Sequence, residues 1–221
     1  MKVIAINGSP RKQWNTATLL QHAIDGAKSK GANTEIAHLY DLNYKGCVSC
    51  FACKTKGGAS RGRCVVNDDL RPLFDKIEVA DALILGSPIY IGAVTGEMRS
   101  FLERLVFQYL EYNTEHSSLF KGKLSTGWIL TMNVPQEALD PAGYTTTFKA
   151  MESLMARVFG HCESLLATDT LQFNDYSQYE TPMFDENKKR LRRKTIFPED
   201  CRKAFELGAR FAEWHERHKR K

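Results

Sequence analysis

The chain has 221 residues, 43% of them hydrophobic and 26% charged, with a formal net charge of +5. This is the composition of a globular protein with enough chain for a substantial core. No apolar run approaches the roughly 18 residues of a membrane span, and the opening MKVIAINGSP turns polar too early for an export signal. A cytoplasmic protein without membrane insertion is therefore expected.

Residues 2 to 6, KVIAI, are a short apolar run closed by Asn-Gly and predict a buried strand. Leu19, Leu20, Ala23, Ile24 and Ala27 fall at helical spacing over residues 16 to 30, before Gly31. NTEIAHLY alternates like a strand, and a loop carrying four cysteines follows it, spanning residues 46 to 67. DDLRPLFDKIEVADA opens with acidic residues suited to a helix N-terminus, with Pro72 in the first turn, where proline is tolerated. ALILGSP predicts a third strand, GEMRSFLERLVFQYL a helix, LSTGWILTM a fourth strand and YTTTFKAMESLMARVFG a helix. HCESLLATDTLQF supplies a fifth strand and PEDCRKAFELGARFAEWHER a closing helix. Between the last two, residues 172 to 198 break the rhythm and are expected to form a long loop or an insertion.

Strand and helix alternate throughout, which predicts an α/β fold: one domain built on a parallel sheet with helices on both faces. Five strands suit the flavodoxin-like order 2-1-3-4-5 better than a six-stranded dinucleotide sheet, and either places ligand outside the carboxyl ends of the strands. The basic excess gathers in Lys188–Lys189–Arg190, Arg192–Arg193–Lys194 and the tail Arg217 to Lys221. Such blocks read as solvated surface, and no nucleic-acid motif accompanies them, so nucleic acid is not an expected partner.

The stretch INGSPRKQWNTATLL, residues 5 to 19, joins the first strand to the first helix. Exposed amides and the helix dipole favour an anion there; Ser9, Asn15, Thr16 and Thr18 add donors, and Arg11 adds a cation. The loop is neither G-x-G-x-x-G nor G-x-x-x-x-G-K-[ST], so the phosphate of a mononucleotide fits it better than a dinucleotide or a triphosphate.

NGSPRKQWNTATLL resembles the phosphate loop of the NAD(P)H-dependent FMN reductase family, and GSPIYIGAVTGEMRSFLERL, residues 86 to 105, resembles that family's second flavin loop. The CxxCxxC…CVVNDDL stretch and LQFNDYSQYE…FPEDCRKAFELG are similar to the branch that includes the iron–sulfur flavoproteins. The resemblance implies FMN as cofactor and NAD(P)H as transient co-substrate. The phosphate would lie on Ser9, Arg11, Asn15, Thr16 and Ala17, the last two donating through their backbone. Ser87, Pro88, Ile89, Tyr90, Ile91 and Gly92 would line the ring, and Thr131, Met132 and Asn133 would close a third side. The flavin carries the hydride chemistry, so no catalytic residue is named. The implied function is passage of a hydride from nicotinamide to flavin, and then of electrons to a quinone, free flavin or other small acceptor. The rival is a flavodoxin-like electron carrier serving protein partners. Arg11, Lys12 and the basic insertion offer cations to a 2′-phosphate, which points towards NADPH without excluding NADH.

Cys47, Cys50 and Cys53 form C-x-x-C-x-x-C, and Cys64 follows after ten residues. Four thiolates so spaced suit a 4Fe–4S cluster, and zinc less well, since zinc ribbons separate two C-x-x-C pairs. The resembled iron–sulfur flavoproteins have a tighter gap before the fourth cysteine. Here KTKGGASRGR widens it, and the balance falls by a small margin on free thiols. A cluster would place the cysteine loop at the sheet's carboxyl edge, or near a second subunit's flavin. Phe107, Tyr109, Leu110 and Tyr112 extend the apolar face of the helix over GEMRSFLERLVFQYL beyond what one buried side needs, which predicts a homodimer or higher homo-oligomer. Tyr176 and Tyr179 would either shield a ligand or pack within the protein.

Overall fold

A computed structural model describes residues 1–219, with side chains through Glu213. The basic tail Arg217 to Lys221 thus lies outside the described side chains. Strands β1 (Lys2–Asn7), β2 (Asn33–His38), β3 (Ala82–Tyr90), β5 (Leu124–Thr131) and β6 (Gly160–Ala167) form a parallel sheet in the order β2-β1-β3-β5-β6, and a two-residue strand β4 (Ala93–Val94) folds back antiparallel onto the end of β3. With the short β4 set aside, this is the predicted flavodoxin-like order. Each crossover runs through a helix: α1 (Asn15–Ser29), α2 (Leu70–Glu78), α3 (Gly96–Phe107) and α4 (Tyr144–Phe159). No helix among the described residues is long and apolar enough to cross a membrane.

The period of two along β1 divides the core. Ile4 and Ile6 join Leu83, Leu85 and Trp128 under α2, α3 and α4. Val3 and Ala5 face the other way, with Ile84 and Ile129, under α1 and the long α6 (Phe197–Lys219). Both faces are covered, which is why β1 and the first half of β3 read as unbroken apolar runs rather than alternating ones.

Helices α1 and α6 approach backbone to backbone. A Cβ placed on Gly26 would stand 1.9 Å from the Phe205 carbonyl oxygen, and one on Gly208 would stand 1.8 Å from that of Ala23. The two glycines are reciprocal, each admitting the other helix.

One expectation is corrected. The helix over GEMRSFLERLVFQYL ends at Phe107, because the Lys54 ammonium donates to the carbonyls of Phe107 (2.5 Å), Gln108 (3.2 Å) and Leu110 and so caps its end. Tyr109 leaves the helix for the core, donating to Glu78 Oε1 at 3.2 Å, and Leu110 bridges to Ser118. The supposed extra apolar face is therefore not one helical surface. Residues 172 to 198 form the insertion rather than a plain loop. It holds a 3-10 turn at Tyr176–Gln178 and helix α5 (Glu186–Thr195), whose Asp185 cap accepts the Lys188 amide at 3.1 Å.

Candidate functional site

A pocket of about 480 Å³ opens at the carboxyl edge of the sheet, within the range of small-molecule sites. Its first wall is the loop between β1 and α1. The loop's shape is set internally: Asn7 Oδ1 accepts the Ser9 amide at 3.0 Å, Ser9 Oγ accepts that of Arg11 at 3.1 Å, and the Gly8 amide donates to the Gly86 carbonyl at 2.8 Å. The residue that caps α1 is Trp14, whose side chain makes no capping bond. Among the described residues, no side chain accepts from the first-turn amides of Asn15, Thr16 and Ala17, which lie at the positive end of the helix dipole. Thr18 bonds back to the Trp14 carbonyl at 2.9 Å instead of capping.

The second wall is the end of β3. Pro88, Ile89, Tyr90 and Ile91 line the pocket, and the chain then turns through Ile91 and Gly92 at φ of 51° and 79°. A β-branched residue in the left-handed region is strained. Ile91 is also fully exposed, so nothing in the fold buries it as compensation. Ser87 sits beneath this turn, fully buried, accepting the Thr95 amide at 3.1 Å and donating to the Pro88 carbonyl at 2.8 Å. Its hydroxyl braces the turn rather than facing the pocket, and Gly92 likewise lies outside the lining. Ala17 borders a neighbouring cavity with Asn7 and His38.

Thr131, Met132 and Asn133 form the third wall. Thr131 and Thr16 share a hydroxyl–hydroxyl bond of 2.7 Å that joins this wall to the first. The Met132 carbonyl accepts both the amide (2.9 Å) and the hydroxyl (3.1 Å) of Thr170.

Sequence reasoning missed the fourth wall, made by Thr170, Gln172, Phe173 and Phe184. The insertion folds back and is fastened to the first loop at several points. Arg11 donates to the Gln172 carbonyl at 2.8 Å while its guanidinium lies 3.9 Å over the Trp14 ring. Trp14 Nε1 (3.2 Å) and Asn15 Nδ2 (2.9 Å) both donate to the Leu171 carbonyl, and Arg193 donates to Asn15 Oδ1 at 2.8 Å. Lys189, 5% exposed, donates to Asn133 and pairs with Asp169. Tyr176 and Tyr179 resolve as supports: the Tyr176 hydroxyl accepts the Gln172 amide at 3.0 Å, and Tyr179 stacks on Phe173 at 4.1 Å. The available signal was the aromatic density of residues 172 to 184.

The four loop cysteines also come together. Cys47, Cys50, Cys53 and Cys64 line one small cavity with Val48, Phe51, Val65, Val66, Arg104, Phe107 and Gln108. The ten-residue gap is closed by a turn: the Gly62 amide donates to the Cys53 carbonyl at 2.9 Å and Ser60 Oγ to that of Ala52 at 3.0 Å, which returns the chain to Cys64. Ser49 and Phe51, at φ of 53° and 56°, bend the chain sharply between the first three cysteines. None of the six cysteines is in a disulfide, and burial pushes the Cys53 thiol up. Among the described residues, no three His, Cys, Asp or Glu side chains could hold a metal ion together.

The cavity is not at the carboxyl edge. The loop runs along α3 from the Tyr44 hydroxyl on the Glu97 carbonyl (2.7 Å) to Lys54 beyond its last turn. The thiols therefore sit by the end of a 12-residue helix, about 18 Å from its start.

Residues 1–127 match the family described as NADPH-dependent FMN reductase. An iron–sulfur flavoprotein of Methanocaldococcus jannaschii is 36% identical over 104 residues, 47% of this chain and 51% of that protein. One from Archaeoglobus fulgidus is 34% identical over 146 residues, 65% of this chain and 60% of its own length. The chain thus spans between half and two thirds of these relatives. An NAD(P)H:quinone oxidoreductase from Methanothermobacter marburgensis superposes with a TM-score of 0.71 at 13% identity, covering 95% of this chain and 98% of that one; at that identity the likeness is one of fold. With the family's two loop motifs on facing walls of one pocket, and its match covering more than half of the residues, the chain belongs to the NADPH-dependent FMN reductase family.

Proposed function

We propose that this protein is an FMN-dependent NAD(P)H oxidoreductase whose electrons go to a quinone, free flavin or other small acceptor. The observation that carries this reading is the meeting of an uncapped helix N-terminus and the Pro88–Ile91 turn on one pocket of about 480 Å³. FMN, when bound, supplies a two-electron acceptor for hydride from nicotinamide and returns the electrons to the second substrate. The chain's part is to hold it. The amides of Asn15, Thr16 and Ala17 with the Ser9 hydroxyl receive the phosphate, and Tyr90 and Ile91 flank the ring. Phe173 and Phe184 leave an aromatic wall against which a planar second substrate excludes water. Anaerobic mixing with NADPH or NADH tests this: the flavin absorbance near 450 nm should bleach within roughly a second, at the turnover rates usual for enzymes. No bleaching with either nucleotide overturns the reductase and favours the carrier. Self-association remains part of the proposal through the exposed Tyr90, Ile91 and Tyr112, and sedimentation would decide it.

The shared cavity of four thiols favours a second reading, in which the protein also carries a 4Fe–4S cluster. A cluster takes its thiolates at separate iron corners, wider apart than the ligands of one ion, so a donor set of four thiols around a cavity fits it without converging on a point. Cys47, Cys50, Cys53 and Cys64 would hold it, and it would supply one-electron storage. Protein isolated anaerobically should then be brown, with about four irons per chain. A purely yellow protein after attempted reconstitution removes the cluster.

A further inference from the structure

Arg104 is 2% exposed and lines the four-cysteine cavity. Its outer nitrogens are engaged on both sides of the cysteine loop. Nη1 donates to the Lys45 carbonyl (3.3 Å), ahead of Cys47, and to Asp68; Nη2 donates to the Val66 carbonyl (3.4 Å), just past Cys64. The guanidinium also interacts with the Cys64 thiol. Its Nε–H, fully buried, meets no acceptor with hydrogen-bond geometry. Buried donors are nearly always satisfied, so an orphan on a residue that lines a cavity with four cysteines points to a missing acceptor. Fork geometry matters as well: no other side chain presents donors on three nitrogens from one rigid plane.

We propose that Arg104 is the residue that organises the four-cysteine site and sets the reduction potential of the cluster bound there, its Nε–H donating to a cluster or thiolate sulfur. The inference rests on the cluster reading above. Two of the guanidinium's edges clamp the segments flanking Cys47 and Cys64, which keeps the mouth of the cavity closed despite the ten-residue excursion between Cys53 and Cys64. The third edge and the positive charge favour the more negative, reduced state of whatever the thiols hold. Hydrogen bonds to sulfur and nearby charge are the levers that tune such centres. Asp68 opposes Arg104 in charge while orienting it.

The test is a mediator-buffered dithionite titration of the anaerobically reconstituted protein, read by electron paramagnetic resonance, in which one electron enters each cluster. Arg104→Lys keeps the charge but loses the fork and the Nε–H. The expected result is at least a tenfold shift towards the oxidised state, a fall in potential of about 59 mV, with iron content reduced. Asp68→Asn should move the potential in the opposite direction. Opposite signs cannot come from general loosening. Flavin content serves as the control for folding, because the flavin pocket lies at the other end of α3. Should Arg104→Lys fail to fold, the Asp68→Asn potential alone decides the matter. An unchanged potential in both variants with iron retained, or a fall in Asp68→Asn, overturns the role of Arg104 and leaves the cluster standing. A wild-type protein that takes up no iron overturns both.

Discussion

Replacing Gly208 with alanine should lower the melting temperature by about 10 °C, the largest stability loss expected from any single methyl group in the chain. The new Cβ would stand 1.8 Å from the Ala23 carbonyl oxygen, a backbone atom that cannot swing aside. Relief requires α1 and α6 to separate, exposing Leu19, Leu20, Ala23, Leu207 and Phe211, which are packed between the sheet and these helices. Overpacking of this kind costs about 3 kcal/mol or more, and in a domain of this size each kcal/mol moves Tm by about 2–4 °C. Gly26→Ala should behave alike, since it meets the Phe205 carbonyl at 1.9 Å. Gly96→Ala is the control: nothing lies within 4 Å of its added Cβ, and it sits at the start of α3. There alanine should leave Tm unchanged or raise it slightly through helix propensity. Thermal melts followed by circular dichroism separate the cases, and a Gly208→Ala melt within 2 °C of wild type would show that the helices do not cross this closely.

FMN should bind at least 100-fold more tightly than riboflavin. The difference is one phosphate, which the proposed reading assigns to the amides at the start of α1 and to Ser9. Charge-assisted bonds of this kind contribute about 1.5–3 kcal/mol each, so two of them account for the ratio. Asn15→Ala should weaken FMN by roughly a factor of 100, since it removes both a loop donor and the bonds to the Leu171 carbonyl and Arg193 that hold the insertion. Thr16→Val should weaken it less, by roughly tenfold, because it leaves the Thr131 hydroxyl, 3% exposed, without its partner. Fluorescence quenching titrations measure all three. Equal affinity for FMN and riboflavin would move the phosphate away from this loop.

What the sequence made legible was local. KVIAI followed by GSPRKQWNT carries its strand, its turn and its helix start within 15 residues, and the alternation of apolar runs and helical spacings was enough to order five strands. The features that escaped are made by residues far apart in the chain. Gly26 and Gly208 look like ordinary helix glycines until the two helices are set side by side. Phe173 and Phe184 reach the pocket only because the insertion doubles back on the first loop, where Arg193 bonds Asn15 across 178 positions. The end of α3 was misplaced because a lysine some 50 residues upstream, Lys54, terminates it. The ten-residue gap before Cys64 weighed against a shared thiol site until the Gly62–Cys53 bond closed it.

The four walls of the pocket are also ordered in time. During synthesis the phosphate loop at residues 8 to 16 leaves the ribosome first, yet the groups that steady it arrive with Thr131, Leu171 and Arg193. At about 5–20 residues per second, the interval between Asn15 and Arg193 is on the order of 10–30 s. Throughout it α1 lacks the Leu207 and Phe211 side of its burial. A nascent chain therefore lacks the bonds that steady the first loop until Arg193 has been made. The ligand acts on the finished fold by mass action, drawing the native state forward in proportion to its concentration, and flavin supply should govern how much of this protein accumulates rather than how it folds.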